Sequence, residues 1–164
     1  MDLTNNRIVL DSGGLEFSDG STQTVASVAA TNATAEVTTT QSTTSGSWTD
    51  LSTAGPSVAL ATGTKALVLI TAFMDPSTSS GANLVFYVGC DITGATTQAP
   101  DGSNFDTLAN WPRGASGGLR ATAAVLFTGL TAGTNTFKLM YKSGDGSSTG
   151  YFRYRQIAVI DMGS

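Results

Sequence analysis

The strongest constraint on this sequence is a series of apolar runs of strand length that extends from Trp48 to the C-terminus. Clusters of Gly, Pro, Asn and Asp separate these runs, among them KALVLITAFMD, LVFYVGCDI, TNTFKLMYK and YFRYRQIAVIDM. No amphipathic stretch of helical length lies between the runs, so a βαβ arrangement is not expected. Short strands at regular spacing with turn residues between them predict an all-β fold, an antiparallel β-sandwich or jelly roll.

Composition supports β structure and excludes some classes of partner. Charged residues make up only 12% of the chain, and the helix formers Glu, Lys and Arg are scarce beside the plentiful Thr and Val. A net charge of -4 provides no basic stripe for a phosphate backbone, so we expect no nucleic-acid partner. The start MDLTNNRIVL does not resemble a signal peptide, and KALVLITAF is too short to cross a bilayer. We therefore expect a soluble protein, made in the cytosol, with no membrane insertion.

The chain divides by composition into two regions. Residues 1–47 contain two short extended pieces, RIVL and LEF, followed by a long Ser, Thr and Ala run. This region has too few apolar side chains to become ordered alone, so we predict an extended N-terminal attachment arm and linker over 1–47 and a jelly-roll domain over 48–164. RIVL and LEF then add as strands to another molecule. The alternative is a β-hairpin folded onto its own domain, with DSGG as the turn.

The distribution of apolar residues on the strands predicts a homo-oligomer. Phe137, Leu139 and Tyr141 alternate with polar or longer residues, as expected for a strand with one buried face. In KALVLITAF and LVFYV both faces are apolar, which indicates either a central position or contact with another subunit. The residues predicted to contact a second subunit are Leu67, Leu69, Phe73, Phe86, Arg153 and Arg155.

The two arginines of this set lie in YFRYRQIAVIDM. Strict alternation places Tyr151, Arg153 and Arg155 on one face of the strand and Phe152 and Tyr154 on the other. Arginines among aromatic residues can pair with carboxylates across a subunit interface. They are equally consistent with an exposed strand end.

The sequence contains no residues in a pattern that suits catalysis, cofactor binding or metal binding. It has no His and one Cys, which excludes a Ser-His-Asp triad and the usual zinc sites. Cys90 is expected to be a small buried residue. The aspartates at 91, 101, 106 and 145 lie in turns rich in Gly and Ser, where they usually bond the local backbone. The segment DGSNFD lacks the ligand order of a calcium loop, although a spatial carboxylate pair of the glycosidase type stays open.

One long polar loop is the candidate for ligand recognition. It runs from about residue 93 to 118, is rich in Gly, Asp and Asn, and is the place where a short helix would fit. Trp111 and Arg113, with Asp106 nearby, form a possible anchor for a sugar or a protein. The alternative is that Trp111 folds back and covers the end of the sandwich.

The segment GGLEFSDGSTQTVAS resembles a short segment common in tail-fibre and related virion proteins of bacteriophages. The pattern is I-x-F-x-D-G-(S/T)-x-Q-T-x-A. The matching residues are Leu15, Phe17, Asp19, Gly20, Ser21, Gln23, Thr24 and Ala26. The region 48–164, and GLTAGTNTFKL in particular, is similar to phage jelly-roll modules related in shape to the tumour-necrosis-factor and complement-type trimers.

This resemblance implies a non-enzymatic virion structural protein, assembled in the host cytoplasm as a homotrimer. The expected role is a small fibre or tail-tip protein whose loops bind a host surface glycan. The absence of fibre repeats and of a coiled coil keeps a capsid decoration protein open, and a small glycan depolymerase is a further alternative. The residues implied to dock on other virion proteins are Ile8, Val9, Leu10, Leu15, Phe17, Asp19 and Gly20.

Overall fold

The computed structural model of the protein describes residues 15–16, 22–23, 31–76, 85–101, 107–110 and 118–163. All regular secondary structure within these ranges is β-strand, which confirms the predicted all-β class. The strands are β1 (Leu15–Glu16), β2 (Thr22–Gln23), β3 (Asn32–Val37), β4 (Gln41–Thr43), β5 (Ser57–Thr62), β6 (Lys65–Pro76), β7 (Phe86–Gly94), β8 (Thr107–Asn110), β9 (Leu119–Thr128), β10 (Gly133–Ser143) and β11 (Gly150–Asp161). Every pairing between them is antiparallel.

Nine of these strands form two sheets that pack face to face. Sheet I has the order β5-β10-β7-β8, and sheet II has the order β3-β11-β6-β9, with β4 pairing to β11 beyond β3. The chain changes sheet between β4 and β5, β5 and β6, β6 and β7, β8 and β9, β9 and β10, and β10 and β11. A four-stranded and a five-stranded antiparallel sheet connected in this way form a jelly-roll sandwich, as predicted.

The core lies between the two sheets and is built from alternate residues of each strand. The central strands β6 and β10 contribute Ala66, Val68, Ile70, Ala72, Met74, Phe137, Leu139 and Tyr141, all fully buried. Phe86 of sheet I packs edge-on against Phe152 of sheet II, with ring centroids 6.4 Å apart. The alternation predicted for Phe137, Leu139 and Tyr141 is confirmed, because burying these side chains on one face removes the most apolar area from water.

Sheet II extends into the part of the chain assigned to the arm. β3 and β4 both lie before residue 48, yet β3 pairs with β11 from Asn32 to Val37 and β4 pairs with its first residues. Ala33 and Ala35 of β3 pack against the core. The sandwich therefore begins at about residue 32. The predicted boundary was too late because these inward residues are small and lie within a polar run.

A second difference concerns the long loop after β7. The sequence suggested a loop from about 93 to 118, whereas the structure has a short edge strand, β8, inside it. β8 pairs with β7 through the register Phe86↔Asn110 to Gly89↔Thr107. The side chains of Asp106, Trp111 and Arg113 lie outside the described residues. Their proposed role in ligand binding stays a prediction.

The N-terminal region is described only at β1 and β2. These two short strands pair through Leu15↔Gln23 and Glu16↔Thr22. Ile8, Val9, Leu10, Phe17, Asp19 and Gly20 lie outside the described residues, as does the side chain of Leu15. The predicted docking role of this segment therefore stays a prediction.

A β-bulge interrupts β11 where the two arginines lie. Arg153 pairs with Phe73 and Gln156 pairs with Thr71, so Tyr154 and Arg155 together face the single residue Ala72. Tyr154 has a φ of 49°, in the left-handed region that non-glycine residues rarely adopt. The extra residue reverses the alternation. Arg155 consequently points into the core, not outward with Arg153 as strict alternation predicts.

The two ends of the sandwich carry different parts of the chain. At one end Asp161 N–H donates to the carbonyl oxygen of Thr31 at 2.9 Å, which joins the end of β11 to the start of β3. At the other end Gly150 pairs with Pro76 and Ser143 pairs with Phe86. The N-terminal segment therefore enters at the end opposite the β10–β11 turn.

Candidate functional site

The outward face of sheet I is covered by its own chain. Lys142 lies over the rings of Trp48 and Tyr87, at 4.6 and 4.8 Å from their centroids. Lys138 forms an ion pair with Asp50 at 3.0 Å. Thr49 exchanges backbone hydrogen bonds with Tyr141, which holds the segment before β5 along the sheet. Where its side chains are described, this face is therefore covered along β7 and β10, while Ser57, Ala59 and Ala61 of β5 are exposed.

The outward face of sheet II, here called the open face, is arranged in rows across its strands. The register gives a first apolar row of Ile160, Leu67 and Leu126 and a second of Ala158, Leu69 and Ala124. At the β3 edge these rows continue with the polar residues Asn32 and Thr34. The next row, the polar row, contains Glu36, Gln156, Thr71 and Thr122. The fourth, the arginine row, contains Arg153, Phe73 and Arg120. Each row lies roughly 7 Å from the next, two residues along a strand.

The two apolar rows are accessible to solvent. Leu126 is 56% exposed, and Leu67, Leu69 and Ile160 are each partly exposed. Scattered exposed leucines are normal in soluble proteins, but a contiguous apolar patch usually marks a contact surface. These side chains lie side by side on neighbouring strands and therefore form one continuous patch.

The polar row is linked by hydrogen bonds across the strands. The hydroxyls of Thr71 and Thr122 share a hydrogen bond of 2.8 Å. Arg120 donates from Nη2 to Oε1 of Gln156 at 3.2 Å, and so reaches from the arginine row toward the polar row. A groove of about 470 Å³ lies along this region, lined in part by Glu36, Leu69 and Ala158. The small side chain of Ala158 leaves the space between its larger neighbours.

The arginine row combines cations with an aromatic ring. The guanidinium of Arg153 lies 4.0 Å from the ring centroid of Phe73, a close cation–π contact, and 5.9 Å from that of Tyr154. Arg120 is the register partner of Phe73 on the other side. Within the described residues neither arginine forms an ion pair. The arginine row therefore carries two cations, and Asp75 of β6 lies one row beyond it on the same face.

The structure separates the six predicted contact residues into two groups. Leu67, Leu69, Phe73 and Arg153 all lie on the open face. Phe86 and Arg155 are fully buried inside their own chain and have no surface to offer a second copy. For Arg155 the reason is the bulge, and for Phe86 it is the alternation of β7, which turns this ring to the core. The prediction of a contact role is corrected for these two residues.

Sequence reasoning did not identify Leu126 and Ile160 as parts of the apolar rows. Both lie in segments that the sequence predicts to be strands. The local sequence around each of them does not mark its outward side as a contact surface. The available signal was the register itself, because both residues pair with Leu67. That pairing is a tertiary fact that a single sequence does not contain.

Arg155 forms a buried polar cluster with the segment before β5. It donates to the carbonyl oxygens of Gly55 and Thr39, at 3.3 and 3.4 Å, and to Oε1 of Gln41 at 2.9 Å. Its Nε has no hydrogen-bond partner. The hydroxyl of Tyr141 also donates to Gly55 O, at 2.8 Å, just before the cis peptide bond to Pro56. The cluster ties β11, β10 and the 39–56 segment together.

Burial raises the pKa of the Tyr141 hydroxyl well above its usual value, although the charge of Arg155 acts in the opposite direction. The folded state holds this proton more tightly than the unfolded state, in which the pKa is about 10. The resulting stabilisation is fully present below about pH 10 and is lost as the pH rises above about 10. We expect Tyr141→Phe to cost about 1 kcal/mol of unfolding free energy at pH 7, through loss of one hydrogen bond. The variant should lose less stability than the wild type between about pH 10 and 12.

Urea unfolding followed by fluorescence at three pH values measures both effects. Tyr151→Phe is the matched control, because this tyrosine is 39% exposed and lies on β11 in the other sheet. Equal alkaline losses in the wild type and in Tyr141→Phe would show that the buried hydroxyl is not responsible.

Asp145 behaves as a turn residue as predicted, whereas Asp91, also predicted to lie in a turn, is part of strand β7 and pairs in register with Lys138. Asp145 accepts hydrogen bonds from the side chain and backbone of Ser148, from the backbone of Ser147 and from the hydroxyl of Ser143. These bonds hold the pKa of the Asp145 carboxyl well below its usual range. They consume its acceptor capacity locally, as expected for a turn.

In the described part of the chain no group of three or more His, Cys, Asp or Glu residues is arranged to hold a metal ion. The same ranges contain no helix that is long and apolar enough to span a bilayer.

No known family model and no curated protein matches the chain. The open face is thus the candidate functional site.

Proposed function

We propose that the chain is a non-enzymatic structural protein of a bacteriophage virion, which assembles as a homotrimer through its open face. The observation that carries the assembly is the contrast between the two sheets. Along β7 and β10, sheet I covers its outward face with its own residues, whereas sheet II leaves two apolar rows in solvent. A second copy of the chain is the occupant that we infer for this face.

The order of the rows supports a cyclic arrangement with its axis along the strands. Rotation about such an axis keeps every residue at its height, so apolar rows meet apolar rows and polar rows meet polar rows. A twofold axis perpendicular to the strands, through the middle of the face, would place Leu67 of one copy near the arginine row of the other. That arrangement would bury guanidinium groups against leucines at high desolvation cost.

The virion assignment is supported by the resemblance of the segment from Leu15 to Ala26 to phage tail-fibre sequences. In this proposal the segments before β3 dock on other virion proteins. Three such arms on one trimer act together, so their combined avidity exceeds the affinity of one arm. The loops at the opposite end are then free to contact a host surface glycan.

The first test is the molar mass in solution, measured by light scattering coupled to size exclusion. We expect three times the mass of one chain at micromolar concentration. A single-chain mass under these conditions would overturn the proposed assembly.

The second test locates the protein on phage particles by immunogold labelling. Label on the tail with binding to host cells supports the fibre or tail-tip role. Label on mature heads, with greater head stability and no cell binding, supports a decoration role instead. Absence from purified particles would overturn the virion assignment.

A further inference from the structure

The open face carries opposite charges near its two edges. Glu36 lies on the edge strand β3, and Arg120 lies on the opposite edge strand β9. Glu36 is exposed and forms no ion pair with any residue that the structure describes. Arg120 is also exposed and bonds only to the neutral amide of Gln156 within these ranges. Within the described ranges, one copy of the chain therefore presents a carboxylate and a guanidinium without ion-pair partners on opposite edge strands of sheet II.

The heights of these two residues allow them to meet across copies. Glu36 lies in the polar row, and Arg120 lies one row away, roughly 7 Å along the strands. Arg120 already extends toward the polar row, because its Nη2 reaches Gln156. Under rotation about an axis along the strands, the β9 edge of one copy faces the β3 edge of the next at the same height.

We propose that Arg120 of one copy forms an ion pair with Glu36 of the next copy, and that this pair sets the register of the interface. This inference rests on the proposed assembly. The bond from Arg120 to its own Gln156 is the contact of the isolated chain, and it is exchanged for the stronger, charge-assisted bond on assembly. The groove lined by Glu36, Leu69 and Ala158 provides the space that the incoming guanidinium occupies.

The test is a charge swap measured by sedimentation at a series of concentrations. Glu36→Arg and Arg120→Glu should each raise the dissociation constant of the assembly by at least about tenfold, because like charges then face each other. The double variant Glu36→Arg/Arg120→Glu should return it to near the wild-type value. The wild-type constant should also rise with salt concentration more steeply than that of Glu36→Gln.

Asp91→Arg is the matched control, since it makes a similar charge change on the outward side of sheet I and should leave assembly unchanged. If the single variants assemble normally, or if the double variant is no better than either, the pair is wrong. The proposed assembly would still stand if a change in the apolar rows dissociates the protein. A wild-type protein that is monomeric overturns both.

Discussion

Replacing Leu67 with Asp is expected to convert the assembled protein into folded monomers. Leu67 lies at the centre of the first apolar row, between Ile160 and Leu126. In an interface the carboxylate of the introduced Asp would be desolvated without a partner, which costs several kcal/mol. We therefore expect the dissociation constant to rise by at least about 100-fold, or about 2.7 kcal/mol. Within one chain the position is partly exposed, so the cost to folding should be about 1 kcal/mol.

Light scattering and circular dichroism on the same samples separate these two effects. Met140→Asp is the matched control, because Met140 is a partly exposed, outward residue on a central strand of sheet I. This variant should keep the wild-type molar mass. If Leu67→Asp keeps that mass as well, the apolar rows are not the contact surface.

Replacing Arg155 with Ala is expected to lower the free energy of unfolding by about 3–5 kcal/mol. The change removes the donor from Gly55 O, Thr39 O and Gln41 Oε1, and it opens a cavity beneath the ring of Tyr141. Gly55 O keeps the Tyr141 hydroxyl as a donor, whereas the partly buried Thr39 O and Gln41 Oε1 lose the guanidinium, and the cavity adds to that loss. Arg155→Met fills most of the volume and should therefore be less destabilised than Arg155→Ala.

Urea denaturation measures these losses, and Arg153→Ala provides the control from the same strand. Arg153 is stacked on Phe73 at the surface, so its removal should cost about 1 kcal/mol or less. Equal losses for the two alanine variants would contradict the account of the bulge. Measuring below the dissociation constant of any assembly keeps the comparison to the single chain.

The fold was predictable because the strands of the core alternate strongly. Phe137, Leu139 and Tyr141 define a buried face by sequence alone, and both-sided apolar character marked Leu67 and Leu69 as unusual. β3 was missed because its inward residues include Ala33 and Ala35, which bury little area and resemble a linker. Local pattern therefore identified strands well wherever their inward residues are large.

The local sequence pattern could not predict the bulge or the rows of residues across the strands. Arg155 points to the opposite face of the strand because Tyr154 adopts a left-handed backbone conformation. No Gly or Asn at this position indicates that conformation in the sequence. The open face became a candidate site only when the register placed Leu126 and Ile160 beside Leu67. Such neighbours are set by strand pairing over long sequence separations, and the chain order does not encode them in any local motif.

In the proposed assembly, the hydrogen bond between Asp161 and Thr31 would give the two ends different roles. It fixes the entry of β3 at one pole of the sandwich, while Pro76, Phe86 and Ser143 reach the opposite pole. In a ring whose symmetry axis runs along the strands, the segment before β3 would leave every copy at the same end. The two ends of such a ring would differ, so it could attach to a larger particle in only one orientation.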